Sequence, residues 1–493
     1  MYFSEISHAV DQDAEFKEFF MPGRICLVGE HSDWAAISEY NKSLQQHQRS
    51  LWSQSCCTDK VDTDLSSSCP YYGLALICPT DQGIHIRVRE DFITTTREDQ
   101  LEYETEKSNS IPKLQLLREL NFTFETENTT LVKSNRLVFT LRDLYEMPLS
   151  ELLKQDNFFS HVSDVKFYSY MIGILKEIFS DSQVVEKIAI SKKSLYCHNY
   201  KTTLPMGKGV SSSAAICVLI ARIFNQCYNL NWSVEKEIEI AFLGERSIGS
   251  ECGKLDHACA YGDVALCLSI RFNSDSSMCI EKMIPREKNS LHILSENQQQ
   301  TIYEHVCSST TTNSLTNTTC SDNLTHNHDE TQNDNFSDRK IYMLLIDLNA
   351  SKDTVKILKD LNKAFSPSDA TIIDAQLVNN AREYLLVENV KICQQALDFV
   401  EQHNAHELGK LFSTAQNLFD RNLSPLCPSE LTAPILHSIL HDVTLQELTY
   451  GGKGVGSGGD GSCLVCCKGS KERDLLRKYL ENTKGMSCLD LTL

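Results

Sequence analysis

No stretch of the 493-residue chain approaches the run of roughly 20 apolar residues that crosses a bilayer, so no membrane-spanning helix is expected. The N-terminal segment carries Glu5, Asp11, Asp13, Glu15 and Glu18 without an apolar core, which predicts neither a signal nor a transit peptide and hence a cytoplasmic protein. Positive charge is short as well: 47 Lys and Arg stand against 66 Asp and Glu, a net charge of −19. Neither nucleic acid nor an anionic membrane surface is an expected partner, and an anionic ligand would need a local positive site. A pair of C-x-x-C motifs, as zinc sites use, is missing although the chain has 20 cysteines, since Cys463 and Cys466 make a single one, and the adjacent pairs Cys56-Cys57 and Cys466-Cys467 suit neither disulfides nor zinc. Reduced, mostly buried thiols are expected, and the sequons at Asn128, Asn317 and Asn323 are then incidental. No internal repeat is present.

What is present exceeds a single hydrophobic core, whose growth stops at roughly 250–300 residues, so two domains are expected. Residues 24–28 read as a buried strand ending at Gly29. "YYGLALICPTDQGIHIRVRE" (71–90) reads as a hairpin, because Ile84, Ile86 and Val88 alternate with polar residues and Pro79 to Gly83 supply turn chemistry. Between them, 41–68 is polar and reads as a surface insertion. Residues 164–180 form one helical stripe, a buried helix should follow Ser213, and 234–248 read as helical. Residues 286–339 are nearly free of apolar groups and read as a disordered insertion in which His326 and His328 are solvated. After it come a strand at 340–350, helical patterns over 373–402, 406–420 and 428–440, then a Gly-rich loop, a strand, a helix and a short last strand. The domain expectation is therefore 1–285, the insertion 286–339, and a mixed α and β second domain over 340–493.

Three motifs carry chemistry. "MPGRICLVGEHSDWAA" places Arg24, Glu30, His31 and Asp33 around the end of the first strand. "LPMGKGVSSSAA" (204–215) precedes the buried helix: Gly207 and Gly209 let the backbone approach a ligand, and the serines with the first N–H groups of the helix can surround a phosphate. It is not a Walker A loop, since Lys208 is not followed by Ser or Thr. "YGGKGVGSGGDGSCLV" (450–465) reads either as a linker or as backbone lining a ligand pocket, and its position against an apolar strand favours the pocket.

Together, in this order, the motifs resemble those of the GHMP small-molecule kinases, the superfamily of galactokinase, homoserine kinase, mevalonate kinase and phosphomevalonate kinase. The first is similar to the galactokinase signature, the second to the nucleotide-phosphate loop, the third to the C-terminal glycine motif. A fourth stretch, "GERSIGSECGKLDHACAYGD" (244–263), is mixed: Cys-Gly-Lys-Leu-Asp resembles galactokinases, whereas its "GERSI" opening resembles mevalonate kinase.

The resemblance implies an α+β, two-domain GHMP kinase fold: a domain like ribosomal protein S5 domain 2, then a ferredoxin-like domain. It also implies ATP and Mg²⁺ as cofactors and a small-molecule substrate, in a monomer or homodimer. Pro205, Gly207, Gly209, Ser211, Ser212, Ser213 and Ala214 would surround ATP, with Ser213 or its neighbour Ser212 joining Glu245 on Mg²⁺. Asp256 would orient or deprotonate the acceptor hydroxyl while Arg24 stabilises charge in transfer. Glu30, His31 and Asp33 would bind sugar hydroxyls, since two carboxylate acceptors and an imidazole satisfy several ring hydroxyls in fixed directions.

The leading expectation is thus a galactokinase-like phosphorylation of a monosaccharide. Trp34 stands where galactokinases have tyrosine, which leaves the sugar open. A mevalonate-type kinase is the second reading, favoured by "GERSI" and disfavoured by Asp33. Its anionic substrate would want a further basic residue near Arg24, for which Lys254 is the candidate. A sugar- or ATP-binding sensor of the same fold is the third.

Overall fold

The computed structural model describes residues 15–38, 72–92, 116–128, 132, 134–154, 162–205, 208–250, 252–262, 265–285, 340–366, 369 and 373–493. The expected insertions at 41–68 and 286–339, with His326 and His328, and the loop residue Gly207 lie outside them. The described chain forms two compact units, each discontinuous in sequence. The first draws on the described residues of Met1–Gly23, Gln82–Pro205 and Ser211–Ala260, the second on those of Arg24–Asp81, Met206–Val210 and Tyr261–Leu493.

Strands β1 (Lys17–Val28) and β2 (Gly73–Phe92) contribute residues to both units. In the first unit β3 (Asn121–Thr126) pairs antiparallel with β4 (Arg136–Thr140) and parallel with β5 (Lys193–Thr202). The second half of β2 runs antiparallel to β5, from Ile84 opposite Thr202 to Phe92 opposite Lys193. The helix Ser212–Cys227 follows, apolar almost all round and buried along nearly its whole length, as its composition dictates.

The helix Val234–Ser247 begins at Ser233, whose hydroxyl accepts from the Lys236 N–H and so partners one of the N–H groups left open at a helix start. It packs against the helix Val162–Ile178 at bare backbone: a Cβ on Gly244 would stand 2.7 Å from the Ile174 Cα, and one on Gly173 2.3 Å from the Gly244 carbonyl. The "GE" of "GERSI" thus sets a close helix crossing beside Glu245. Inside the unit Arg222 and Glu237 form an ion pair with fully buried side chains. Arg222 donates from Nε to Glu237 Oε2 (3.0 Å) and from Nη2 to the Ala260 carbonyl (2.7 Å), and Asn225 donates to Glu237 Oε1 (2.7 Å).

In the second unit the first half of β2 pairs antiparallel with β6 (Ala265–Phe272), which continues to β7 (Met278–Pro285). A separate antiparallel sheet has the order β11-β8-β10-β9, from β8 (Tyr342–Asp347), β9 (Thr449–Gly454), β10 (Ser462–Cys467) and β11 (Cys488–Thr492). Leu344, Ile346, Cys463 and Val465 from its two inner strands bury against Leu436 and Leu476, each worth about 1.5–3 kcal/mol for the larger side chains. The expected α+β class is what the chain adopts.

Three sequence expectations change on folding. The hairpin read into 71–90 is one continuous strand of 20 residues, β2. Its local turn chemistry loses to pairing with other strands: the Gly83 carbonyl accepts from the Thr203 N–H, the Gly83 N–H donates to Thr203 Oγ1, and a Cβ there would lie 2.4 Å from the Met21 carbonyl, so this glycine serves close approach to β1. The pattern over 373–402 resolves into the helices Ala375–Glu383 and Asn389–Glu401 joined by a π turn, Tyr384–Glu388. The pattern over 428–440 breaks at Ala433, held at φ 41° ahead of Pro434, because a residue before proline is pushed out of the right-handed helical region. The described cysteines are free and mostly buried, as expected, and no described helix is long and apolar enough to cross a membrane.

Candidate active site

Each unit carries part of the predicted residue set. In the second unit β1 ends at Gly29, where φ is 99° and a Cβ would sit 2.4 Å from the Leu74 carbonyl, so only glycine fits. The chain then turns through Glu30 and His31, the latter in the left-handed region at φ 69°, into the short helix Ser32–Ala36. Asn389 holds this turn from the facing helix, donating to the Glu30 carbonyl and to Ser32 Oγ, both at 3.1 Å.

The Glu30 carboxylate is ion-paired with Lys453, the lysine inside the C-terminal glycine motif, and both side chains are nearly buried (12% and 5% exposed). Lys453 stands on β9, which lies against the helix Ala405–Asn422 by mutual close approach: a Cβ on Gly451 would meet the Gly409 carbonyl at 2.1 Å. From that helix Gln416 accepts from the Gly454 N–H at 2.7 Å. Beyond β9, Gly456 and Gly458 turn with φ of 71° and 85°, and Lys352 caps the turn, donating to the carbonyls of Val455 (3.0 Å) and Gly458 (2.7 Å). The glycine motif is therefore an ordered strand and turn.

Arg24 donates from its side chain to the Gly209 carbonyl at 3.2 Å and from its backbone N–H to the Val210 carbonyl at 3.2 Å, fixing the start of the second motif. Lys208 pairs with Asp347 at 2.7 Å. Arg24, Lys352 and Lys453 lie close enough to oppose one another's charge, with Glu30 offsetting them: burial, and then the two other cations, bring Lys352 down to about 8. The three cations make a local concentration of positive charge in a chain of net charge −19.

His31 is buried. Its Nδ1 accepts from Trp34 Nε1 at 3.0 Å, which leaves the proton on Nε2, and Nε2 faces the Ser457 backbone without the alignment of a formed hydrogen bond. The ring lies among Trp34 and Phe419, with centroids at 5.6 and 6.1 Å. Burial, against a smaller opposing pull from Ser457, lowers it to about 4, so it is neutral at pH 7. Asp33 is buried and accepts from the Trp34 N–H at 2.9 Å. The void bounded by Glu30, Asn389, Gln416, Phe419 and Lys453 measures about 20 Å³, room for a single water. Here the polar groups order one another.

In the first unit Pro205 is half-buried, Ser211 to Ser213 open the helix Ser212–Cys227, and Ala214 is buried in its first turn. Ser211 is held at φ 59° and makes no side-chain cap bond; its Oγ is buried without a partner. A buried hydroxyl without a partner beside open helix N–H groups is the environment a phosphate oxygen satisfies, so these residues fit a nucleotide phosphate. Asp256 lies half-buried on the 3₁₀ turn Lys254–Tyr261. Lys254 sits over the Phe242 ring at 5.4 Å in this unit, whereas the basic residues grouped with Arg24 in the other are Lys352 and Lys453. Glu245 is buried; it accepts from Ser250 Oγ at 3.2 Å and its Oε2 lies 3.1 Å from His257 Nε2, with Cys252 alongside.

Sequence reasoning missed Lys352, Lys453 and His257. Lys453 stood inside a motif read for its glycines, Lys352 had no motif, and His257 adjoined Asp256 without metal spacing in the sequence.

Residues 170–263 match the family model described as GHMP kinases N terminal domain. The fold is similar to that of Methanococcus jannaschii mevalonate kinase (TM-score 0.52, 12% identity, covering 97% of this chain and 98% of that one). It is similar also to Lactococcus lactis galactokinase complexed with galactose (0.52, 14%, 97% and 93%) and to L. major mevalonate kinase in complex with R-mevalonate (0.50, 12%, 97% and 96%). At these identities the likeness is one of fold, and no curated protein matches by sequence. Residues 170–263 are a GHMP kinase N-terminal domain, and the chain has the fold of the GHMP small-molecule kinases.

Proposed function

We propose that the protein transfers the γ-phosphoryl group of ATP to a hydroxyl of a monosaccharide. The observation that carries the reading is the Ser211 hydroxyl, buried without a partner at the open N-terminus of the helix Ser212–Cys227, within the region matched to the GHMP kinases. The loop of Pro205, Gly207, Gly209 and Ser211 to Ala214 would hold the phosphates, and Arg24, tied to the Gly209 carbonyl, would fix that loop and stabilise charge on the moving phosphoryl group. Ser213 and Glu245 are the residues proposed for Mg²⁺, which supplies charge neutralisation on the phosphate oxygens. The proton of the acceptor hydroxyl would pass to an Asp256 carboxylate oxygen as the hydroxyl oxygen attacks the γ-phosphorus and the bond from that phosphorus to the β,γ-bridging oxygen breaks, releasing ADP. Glu30 keeps free lone pairs beyond its bond to Lys453, and with Asp33 it would accept from ring hydroxyls.

A second reading has its own support. Arg24, Lys352 and Lys453 together favour an acceptor that carries an anion, as a mevalonate-type substrate or an acid sugar does. ATP consumption with Mg²⁺ across neutral sugars, uronic acids and mevalonate, run beside Asp256→Ala, separates the two. Turnover with a neutral monosaccharide, lowered about 10²–10⁴-fold by Asp256→Ala, is the expected result. Turnover confined to acidic acceptors selects the second reading, and nucleotide binding without turnover on any acceptor selects a sensor.

A further inference from the structure

Glu245, Cys252 and His257 converge in the first unit with one ligand atom each, all within 4.8 Å of one another. A carboxylate, a thiol and an imidazole form a mixed O, S, N donor set, which suits a borderline-soft ion such as Zn²⁺ and is unlike the all-oxygen shell that Mg²⁺ takes. The imidazole is fully buried, and neither Nδ1 nor Nε2 has a hydrogen-bond partner; Glu245 Oε2 is likewise buried without one. The 3.1 Å approach of His257 Nε2 to Glu245 Oε2 lacks the alignment of a hydrogen bond. A lone pair on Nε2 so close to Oε2 is repelled, and a cation bound by both atoms relieves that repulsion. Tetrahedral Zn²⁺ with ligand bonds of about 2.0–2.3 Å holds its ligand atoms roughly 3.3–3.8 Å apart, so the cluster needs only small side-chain movements to close on an ion.

Cys217 is buried in the same surroundings, near Glu245, Cys252 and Cys259. Tyr170 faces these groups from the helix Val162–Ile178. The chain around the cluster explains its placing: the Gly173–Gly244 crossing sets Glu245 inward from one helix, and the 3₁₀ turn Lys254–Tyr261 carries His257 next to Asp256.

We infer that Glu245, Cys252 and His257 form a binding site for one divalent transition-metal ion of the zinc class, with a fourth position left to water. Binding converts the Cys252 thiol to a thiolate and releases its proton to solvent. The ion would fasten the helix Val234–Ser247 to the turn that bears Asp256. It would also occupy a carboxylate that a magnesium site would otherwise use, so Mg²⁺ and this ion would compete for Glu245. Metal binding by this cluster does not depend on the kinase reading.

The test uses the full chain stripped of metal and titrated with Co²⁺. Expected are one equivalent bound, the visible bands of tetrahedral cobalt with a thiolate-to-cobalt charge-transfer band, displacement by Zn²⁺, and no displacement by a large excess of Mg²⁺. Cys252→Ser should remove the charge-transfer band, and His257→Gln should weaken binding at least about tenfold. In the unmutated protein, Zn²⁺ should slow alkylation of Cys252, followed by mass spectrometry, a measurement that stands even if a variant fails to fold. Absence of a one-equivalent site, a cobalt spectrum unchanged in Cys252→Ser and His257→Gln, or alkylation of Cys252 indifferent to Zn²⁺ would each overturn the site, whatever the kinase assay gives.

Discussion

The first unit contains two buried polar clusters with opposite properties. Around Arg222 and Glu237 both side chains are fully buried, and each charge has well-aligned partners: the two bond to each other, Asn225 donates to the carboxylate, and Ala260 accepts from the guanidinium. Around Glu245 and His257 burial is just as deep, yet both imidazole nitrogens and one carboxylate oxygen have no bonded partner. A satisfied network rigidifies a core, while leaving such groups unmade costs about 1–3 kcal/mol apiece unless a ligand satisfies them. Chemistry is therefore expected among buried groups whose hydrogen bonds are missing.

The largest expected effect comes from breaking the satisfied cluster. Glu237→Gln leaves the Arg222 charge buried without its counter-ion, and urea unfolding should show a loss of about 3–5 kcal/mol. In the second unit Lys453→Met does the same to Glu30, which keeps slight access to water, so a loss near the low end, about 3 kcal/mol, is expected. The double variant Glu30→Gln/Lys453→Met should recover most of it, which a double-mutant cycle measures.

The unsatisfied cluster should respond to ligand instead. Zn²⁺ at a hundredfold its Kd should stabilise the unmutated protein by about 2.7 kcal/mol. Without metal, His257→Gln should cost below about 1 kcal/mol, because its ring nitrogens surrender no hydrogen bonds, and it should abolish the zinc-dependent gain. A metal-free cost for His257→Gln as large as that of Glu237→Gln would erase the distinction between the clusters.

The smallest effect is a pH slope from His31. Folded, this imidazole sits at about 4 against an ordinary value of 6.5, so the unfolded chain takes up the proton first as pH falls. Its contribution is fully present above pH 6.5 and is lost as pH drops from 6.5 towards 4. His31→Asn suits the left-handed backbone and can still accept from Trp34, so urea midpoints across that window should fall less steeply in the variant.

Much of this was legible in the sequence. The helix after Ser213, the helix ending near Glu245, the strand at 340–350 and the α+β class follow from apolar periodicity, and the three glycine-bearing motifs pointed to the fold. What periodicity does not carry is contact across long separations. Glu30 meets Lys453 over 423 residues, and nothing local to either announces it. Pro79 to Gly83 carry turn chemistry that is overruled by the strand pairing of the β2 residues before and after them, a tertiary choice that local reading does not see. The Trp34 side chain, whose place in the motif left the sugar open, hydrogen-bonds His31 Nδ1, a contact that the residue types alone do not announce. His257 could be valued only after folding brought Glu245 and Cys252 to it.

The most direct measurement of phosphoryl transfer is the fate of labelled phosphate. The protein is incubated with γ-labelled ATP, Mg²⁺ and a panel of monosaccharides, and the products are separated and weighed by mass spectrometry. The proposed kinase reaction predicts label in one sugar, with a mass gain of a single phosphoryl group, and none with Asp256→Ala. Label released only as inorganic phosphate, or transferred only to a non-sugar acid, would contradict it.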